Sequence, residues 1–385
     1  KGVMAVEERF KEIEGGFELE LVEGEEKVAS LGVGRYTMRL AGAEVLMGGI
    51  WGVVTHPAHR GRGFGAQMMR ATVGRLRAER FPISLLWGIS DFYHRFGYAP
   101  VLPGYSLTVT TRNAERLGAG PDGVTVRPGT PTDAPALADL YHRTTVSRTG
   151  TLRRSPNKCR SAFDPTPPRE TDNWWRHTRR VLVVERGGPP LGYALLHGNP
   201  AQLSVVEVVV PEEHVETAGV ALLAALTREA VERREAEIKL SLPPDDPLAQ
   251  LLRRAGCKAE VNYPANGGGM GRIVDLPALA DAIAPGLAER AAALPGELRP
   301  SALELLCAAQ GEEPEQRATI QLGAGGGRVA RLALPQQRLC QLLLGYQGID
   351  ALRRERPDAC DDADVPLIRA LLPEGYPHMW SIDHF

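Results

Sequence analysis

No two cysteines of this chain stand at Cys-x-x-Cys spacing: Cys159, Cys257, Cys307, Cys340 and Cys360 are scattered, with no histidine cluster to match. That argues against a zinc site and a disulfide framework, so no metal is expected and a reducing cytoplasm fits best. No apolar run approaches the roughly 18 residues that span a bilayer, and no signal-peptide core opens the sequence, so a membrane partner is not expected. Nor does one sign of charge dominate. Lys and Arg number 45 against 47 Asp and Glu, a formal net charge of -2, which provides no overall field for nucleic acid. The chain opens on Lys1-Gly2-Val3 without an initiator Met, and the charged stretch from Val6 to Glu20 reads as helix-like. The numbering is therefore expected to start inside the native protein.

What is present suffices for several cores. At about 100 to 200 residues per domain, 385 residues suggest two or three units, and breaks in the pattern divide the chain into 1–120, 121–275 and 276–385. The first unit shows strands near Tyr36 to Leu40 and Val45 to Val54, a helix from about Phe64 to Glu79 and a buried strand at Ile83 to Trp87. It ends where the strand-like Tyr105 to Thr110 gives way to the turn-rich Arg116 to Gly123. The second unit repeats this α/β grammar. Val124 to Pro128 and a capped helix at Asp133 to Tyr141 precede a hairpin of Val181 to Val184 and Leu191 to Leu196, a strand at Leu203 to Val210, and a helix at Val215 to Glu232. The third begins with a helical period at Leu276 to Ile283. It continues with a hairpin of Ala318 to Leu322 and Arg328 to Leu334 around Gly323 to Gly327, a helix from Gln336 to Tyr346, and an irregular tail.

One stretch carries chemistry. The strand Val53-Val54-Thr55 runs into His56-Pro57-Ala58-His59-Arg60-Gly61-Arg62-Gly63-Phe64-Gly65-Ala66 and on into the helix. Glycine lets a backbone approach an anion closely, and the unpaired amides of a helix N-terminus point at the same spot, so the segment reads as a pyrophosphate cradle. Arg60 and Arg62 either neutralise phosphate or sit in solvent. The corresponding turn of the second unit, Pro211 to Glu216, holds acids that would repel a pyrophosphate, so that copy is read as degenerate.

The cradle, its helix, the next strand and then Tyr93-His94-Arg95-Phe96-Gly97-Tyr98 come in an order similar to the GNAT superfamily of acyl-CoA-dependent N-acyltransferases. The resemblance implies an acetyl-CoA co-substrate with its diphosphate on the amides of Gly61, Arg62, Gly63, Phe64, Gly65 and Ala66. Its pantetheine arm would lie along Val53, Val54 and Thr55, with Gly88 and Ile89 opposite. It also implies Tyr93 as the acid that protonates the leaving thiolate, a phenol being protonated at pH 7. Tyr98 and Tyr105 read as packing residues, and His56, His59, His94 and Asp91 as structural or solvated ones.

End to end, two GNAT-like units, the second degenerate, plus a third unit resemble the enhanced intracellular survival (Eis) family. The implied fold is α/β (α+β), with tandem GNAT-like domains and a C-terminal sterol-carrier-protein-like domain. In that family the terminal carboxylate is the general base, here that of Phe385 in Trp380-Ser381-Ile382-Asp383-His384-Phe385. Asp383 and His384 travel with the tail and either orient that carboxylate or relay a proton. Trp174-Trp175 either line a substrate pocket or form interdomain core. The implied acceptor is a small primary amine, an aminoglycoside among the possibilities, and the implied assembly is a homo-oligomer, a hexamer by resemblance. A polyamine, a protein lysine, or a non-catalytic acetyl-CoA sensor with a lipid-binding carrier domain are the alternatives. Only 52 residues precede Val53, where a GNAT unit usually has a strand and two helices more, so part of the amine-pocket wall is expected to be missing.

Overall fold

A computed structural model describes residues 6–163, 179–197, 203–309, 314–323 and 328–385. The chain opens with a meander of β1 (Val6–Ile13), β2 (Gly16–Glu23), β3 (Glu26–Leu40) and β4 (Ala43–Thr55), followed by α1 (Phe64–Ala78), β5 (Ile83–Gly88), β6 (Ala99–Leu102) and β7 (Gly104–Thr110). The charged opening is thus a strand pair, not a helix: Val6↔Glu23 through Ile13↔Gly16 are antiparallel partners. In β2, Phe17, Leu19 and Leu21 alternate with Glu18 and Glu20, a period of two that puts the three apolar side chains against α1. There they meet Phe64, Met68, Met69, Val73 and Leu76, each such burial being worth about 1.5–3 kcal/mol.

Next come α2 (Thr111–Ala114), β8 (Thr125–Pro128), α3 (Ala134–Thr145), α4 (Pro156–Arg160), β9 (Arg179–Glu185), β10 (Gly192–His197) and β11 (Ser204–Val209). The same stretch continues through α5 (Val220–Glu232), β12 (Glu237–Leu240), α6 (Pro247–Ala255), β13 (Lys258–Asn262) and β14 (Gly268–Ile273). Two seven-stranded sheets result, ordered β1-β2-β3-β4-β5-β14-β6 and β13-β7-β12-β11-β10-β9-β8. They have exchanged a strand. β7 directly follows β6 in the chain but pairs with β12 and β13, while β14 returns to fill the place between β5 and β6. The two α/β units are therefore interlocked by their own backbones.

The last stretch holds α7 (Leu276–Ala292), β15 (Ala302–Ala308), β16 (Gln316–Gln321), β17 (Val329–Pro335), α8 (Gln336–Leu343), α9 (Ile349–Glu355) and α10 (Val365–Leu371). The expected hairpin of β16 with β17 is not formed. β15 lies between them, antiparallel to β16 and parallel to β17; residues 324–327 of the expected turn lie outside the described residues. The tail is also less irregular than expected, since α9 and α10 bury Ile349, Leu352, Leu367 and Ile368 in one core with α7. That core continues onto the first sheet through Met38, Leu40, Val45, Met47, Ile83 and Leu85. The first sheet is thus covered by α1 on one face and by the third unit on the other.

Candidate active site

β4 and β5 run parallel from Met47↔Ile83 to Ile50↔Leu86, after which β4 continues to Thr55 and β5 to Gly88 without pairing to each other. A wedge-shaped gap opens in the sheet. Its β4 wall bears a bulge, because the β3 register shifts between Ser30↔Val54 and Gly32↔Trp51. Gly52 in the bulge takes φ 60 with nothing within 4 Å of a built Cβ. Past the bulge, Val54 is 55% exposed at the rim, and beyond β5 Ile89 is 69% exposed.

At the end of the β4 wall, a short turn at Pro57–His59 leads into α1. Gly61 and Gly63 have φ of 78 and 87, a left-handed backbone that glycine adopts without steric cost, and a Cβ at either would meet open space. Gly63 is the N-cap of α1, and no side chain caps the helix. Uncapped amides beside an open surface fit a bound anion. Arg62 is otherwise engaged: it donates to both oxygens of Glu23, Nη1 to Oε2 at 2.8 Å and Nη2 to Oε1 at 2.5 Å, and lies 4.7 Å from the Phe64 ring centroid. Its hydrogen bond holds the Glu23 carboxyl below its ordinary range. Arg60 reaches the Thr55 carbonyl at 3.5 Å.

Glu26, His56 and His59 bring ligand-type atoms within 4.8 Å of one another. Arg62 Nη1 lies 2.8 Å from His59 Nδ1, and a guanidinium only donates, so Nδ1 accepts and Nε2 donates to Glu26 Oε1 at 3.0 Å. Glu26, His59 and Arg62 are thus joined in a hydrogen-bond network, and His56 meets it through a ring contact with His59 at 5.8 Å.

Alternation along β5 separates two groups of side chains. Trp87 faces the third unit, where its ring lies 3.7 Å from the His384 ring and 5.2 Å from that of Phe385. Phe385 also stacks on Tyr36, centroids 5.0 Å apart and planes at 23°. Gly88 faces the α1 side, and a Cβ there would stand 2.8 Å from Tyr93 Cδ2. Tyr93 begins a short turn of helix, Tyr93–Phe96, against the α1 core, and burial raises its phenol above the ordinary range. Phe385 and Tyr93 thus contact adjacent residues of β5 from opposite faces of the sheet.

The other candidates sit elsewhere. Tyr98 is buried with its hydroxyl 2.8 Å from Ser84 Oγ and is pushed up to about 12 by burial. Tyr105 donates to the Pro377 carbonyl. His94 is exposed, and Asp91 is tied to Asn266 by two hydrogen bonds. Asp383 is buried in an ion pair with Arg154 and does not reach the gap, and His384 Nε2 lies 3.3 Å from the Met379 carbonyl. Trp174 and Trp175 lie outside the described residues. Reasoning from sequence missed Tyr36, Gly49 and Trp87. A signal for one existed: the pair Gly48-Gly49 inside a strand marks close approach by other groups.

Uncapped cradle, bulged strand and parting β4 and β5 define the class: residues 6–101 match the Acetyltransferase (GNAT) domain family, and the first unit is a GNAT-type acyl-CoA N-acetyltransferase domain. No curated protein matches the chain. Among solved structures, it is similar to a GCN5-related N-acetyltransferase from Kribbella flavida at 23% identity, covering 96% of this chain and 87% of that one with a TM-score of 0.66. A probable N-acyltransferase from Enterococcus faecalis is 16% identical, with 97% and 90% covered and a TM-score of 0.69. Eis1 from Mycobacterium abscessus is 18% identical, with 96% and 90% covered and a TM-score of 0.62. At these identities the likeness is one of fold.

Proposed function

We propose that the protein transfers an acetyl group from acetyl-CoA to a primary amine, with Tyr93 as general acid and the Phe385 carboxylate as general base. The observation that carries this reading is the approach of Phe385 and Tyr93 to Trp87 and Gly88 from opposite faces of the sheet. A thioester threaded through the gap would meet the amine on the Phe385 side. The amine attacks the carbonyl carbon and passes its proton to the carboxylate. The tetrahedral intermediate then collapses, the C–S bond breaks, and the thiolate takes the phenol proton of Tyr93 on the other face. Solvent returns the proton to Tyr93 and removes the one on Phe385. Burial keeps the phenol protonated at neutral pH.

The donor diphosphate would rest on the amides of Gly61 to Ala66, and its pantetheine along Val53 to Thr55 with Gly88 and Ile89 opposite. Arg62 would contribute its amide, its side chain being bound to Glu23. We read the chain as Eis-like, with units 1–120, 121–275 and 276–385, the second without a donor site and the third a carrier-like module that delivers the tail. The acceptor classes to test are aminoglycosides, polyamines and lysine peptides. Thiol release from acetyl-CoA by the full chain in the presence of each acceptor tests the reading. Turnover with one class is expected; tight acetyl-CoA binding with no thiol release for any of the three would turn the reading toward a sensor.

A further inference from the structure

The C-terminal residues reach the first sheet by way of the second. In that sheet β11 and β12 are parallel partners only at Ser204↔Lys239 and Val205↔Leu240, and β11 then parts from β12 while staying paired with β10, as β4 parts from β5 beyond Ile50 while staying paired with β3. The likeness is close: β11 has its own bulge, where the β10 register shifts between Leu195 and Leu196, and it ends in a similar short turn, Glu212–His214. The continuation differs. His214 leads straight into a helical turn at Val215, so the four residues Arg60 to Gly63 have no counterpart. The opening itself holds the tail, with Trp380 and Ile382 in the core of this unit and the turn Ser381–Asp383 against β11.

Counted from the last paired residue, Glu207 of β11 stands where β4 has Gly52. Its side chain is buried and faces Arg154, whose Nη1 and Nη2 donate to its two oxygens at 2.7 Å each. The same guanidinium donates from Nε to Asp383 Oδ1 at 2.9 Å and from Nη2 to Oδ2 at 2.7 Å. Tyr193 donates to Glu207 at 2.6 Å and Tyr141 to Asp383 at 3.3 Å, the Tyr141 ring lying 3.7 Å from the guanidinium. Arg154, Glu207 and Asp383 are each 5% exposed or less. A buried charge left without its partner is costly, so these groups hold one another in place.

We infer that Arg154 is a positioning residue, latching Asp383 to Glu207 in the strand opening of the second unit and thereby fixing the Phe385 carboxylate at the gap of the first. Phe385 lies two positions beyond Asp383, a tether of at most about 7 Å, which restrains the carboxylate without touching the substrate. The unit that lacks a donor cradle then serves as the clamp for the base of its neighbour. This rests on Phe385 acting as the base.

The test uses the full chain and the variants Asp383→Asn and Glu207→Gln, which keep shape while removing charge, together with Arg154→Lys. Expected are a kcat at least tenfold lower for Asp383→Asn and Glu207→Gln, a KM for acetyl-CoA within twofold of the parent, and a displaced acid limb in the kcat–pH profile. Unchanged kcat and pH profile in a folded Asp383→Asn overturn the latch, and so does a folded Arg154→Lys with unchanged kcat, since an ammonium does not reproduce the fork that bridges both carboxylates. A parallel chain with residues appended after Phe385 separates the two ideas. If that extension abolishes turnover while Asp383→Asn does not, the latch alone fails; if the extension is fully active, the base assignment fails first.

Discussion

Gly49 of β4 leaves the space that the ring of Phe385 fills: a Cβ on Gly49 would stand 2.8 Å from Phe385 Cζ and 2.7 Å from Tyr36 Cε2. Real Cβ atoms do not approach this closely, so Gly49→Ala must push the terminal ring off the sheet. The variant is expected to lose at least tenfold in kcat while binding acetyl-CoA within twofold of the parent, because the cradle lies at the far end of β4 and on α1. Calorimetric acetyl-CoA binding beside a thiol-release assay checks this, and a fully active Gly49→Ala would remove Phe385 from the mechanism.

Tyr93→Phe removes a phenol without changing the ring that packs over Gly88. General acids contribute roughly 10²–10⁴-fold, so a kcat lower by about two orders of magnitude is expected, with the thermal midpoint within a few degrees of the parent. Full turnover in the variant would contradict the assignment of Tyr93 as acid.

Gly63→Ala tests the cradle. The position holds φ 87 and faces open space, so the methyl costs no clash, but the left-handed backbone costs about 1–2 kcal/mol. The cheaper response is to shift the turn, which moves the amides that would carry the diphosphate. The KM for acetyl-CoA should rise about tenfold, with kcat at saturating donor little changed. Steady-state kinetics at varied donor decides; an unchanged KM would place the diphosphate elsewhere.

Asp246 caps α6, accepting from the Leu248 amide at 2.9 Å, and burial pushes its carboxyl up to about 6. A raised acid binds its proton more tightly when folded, so its ionisation opposes folding. Its stabilising contribution is complete below about pH 4 and is lost as the pH rises through about 6, a difference of about 3 kcal/mol. Asp246→Asn keeps the cap and has no proton to lose. Its thermal midpoint should match the parent near pH 4 and exceed it increasingly up to pH 7; parallel curves for the two proteins would show that Asp246 ionises without cost.

Local pattern made the cradle and much of the α/β order of the first unit legible. Gly61, Gly63 and Gly65 beside a strand and ahead of an amphipathic helix announce a backbone geometry that needs no distant partner. The misreading at Val6 to Glu20 has an equally local cause. Glu7 through Glu12 of β1 are exposed on both faces, so no apolar alternation marks that strand, and the period of two begins only at Phe17. β16 and β17 failed differently: each was found as a strand near its true bounds, but glycines between two strands suggest a hairpin and carry no information about β15 coming between them.

Sequence alone determined the glycine turn that leads into α1 and which tyrosine comes after it, because both are set by a few consecutive residues. Tertiary structure alone decided which residues meet across the gap. The exchange of β7 for β14, the passage of the tail through the second sheet, and the meeting of Arg154 with Glu207 and Asp383 join positions 53 to 229 residues apart. Such pairings are selected by the burial of charge and apolar surface in the assembled molecule, and no neighbouring residue encodes them.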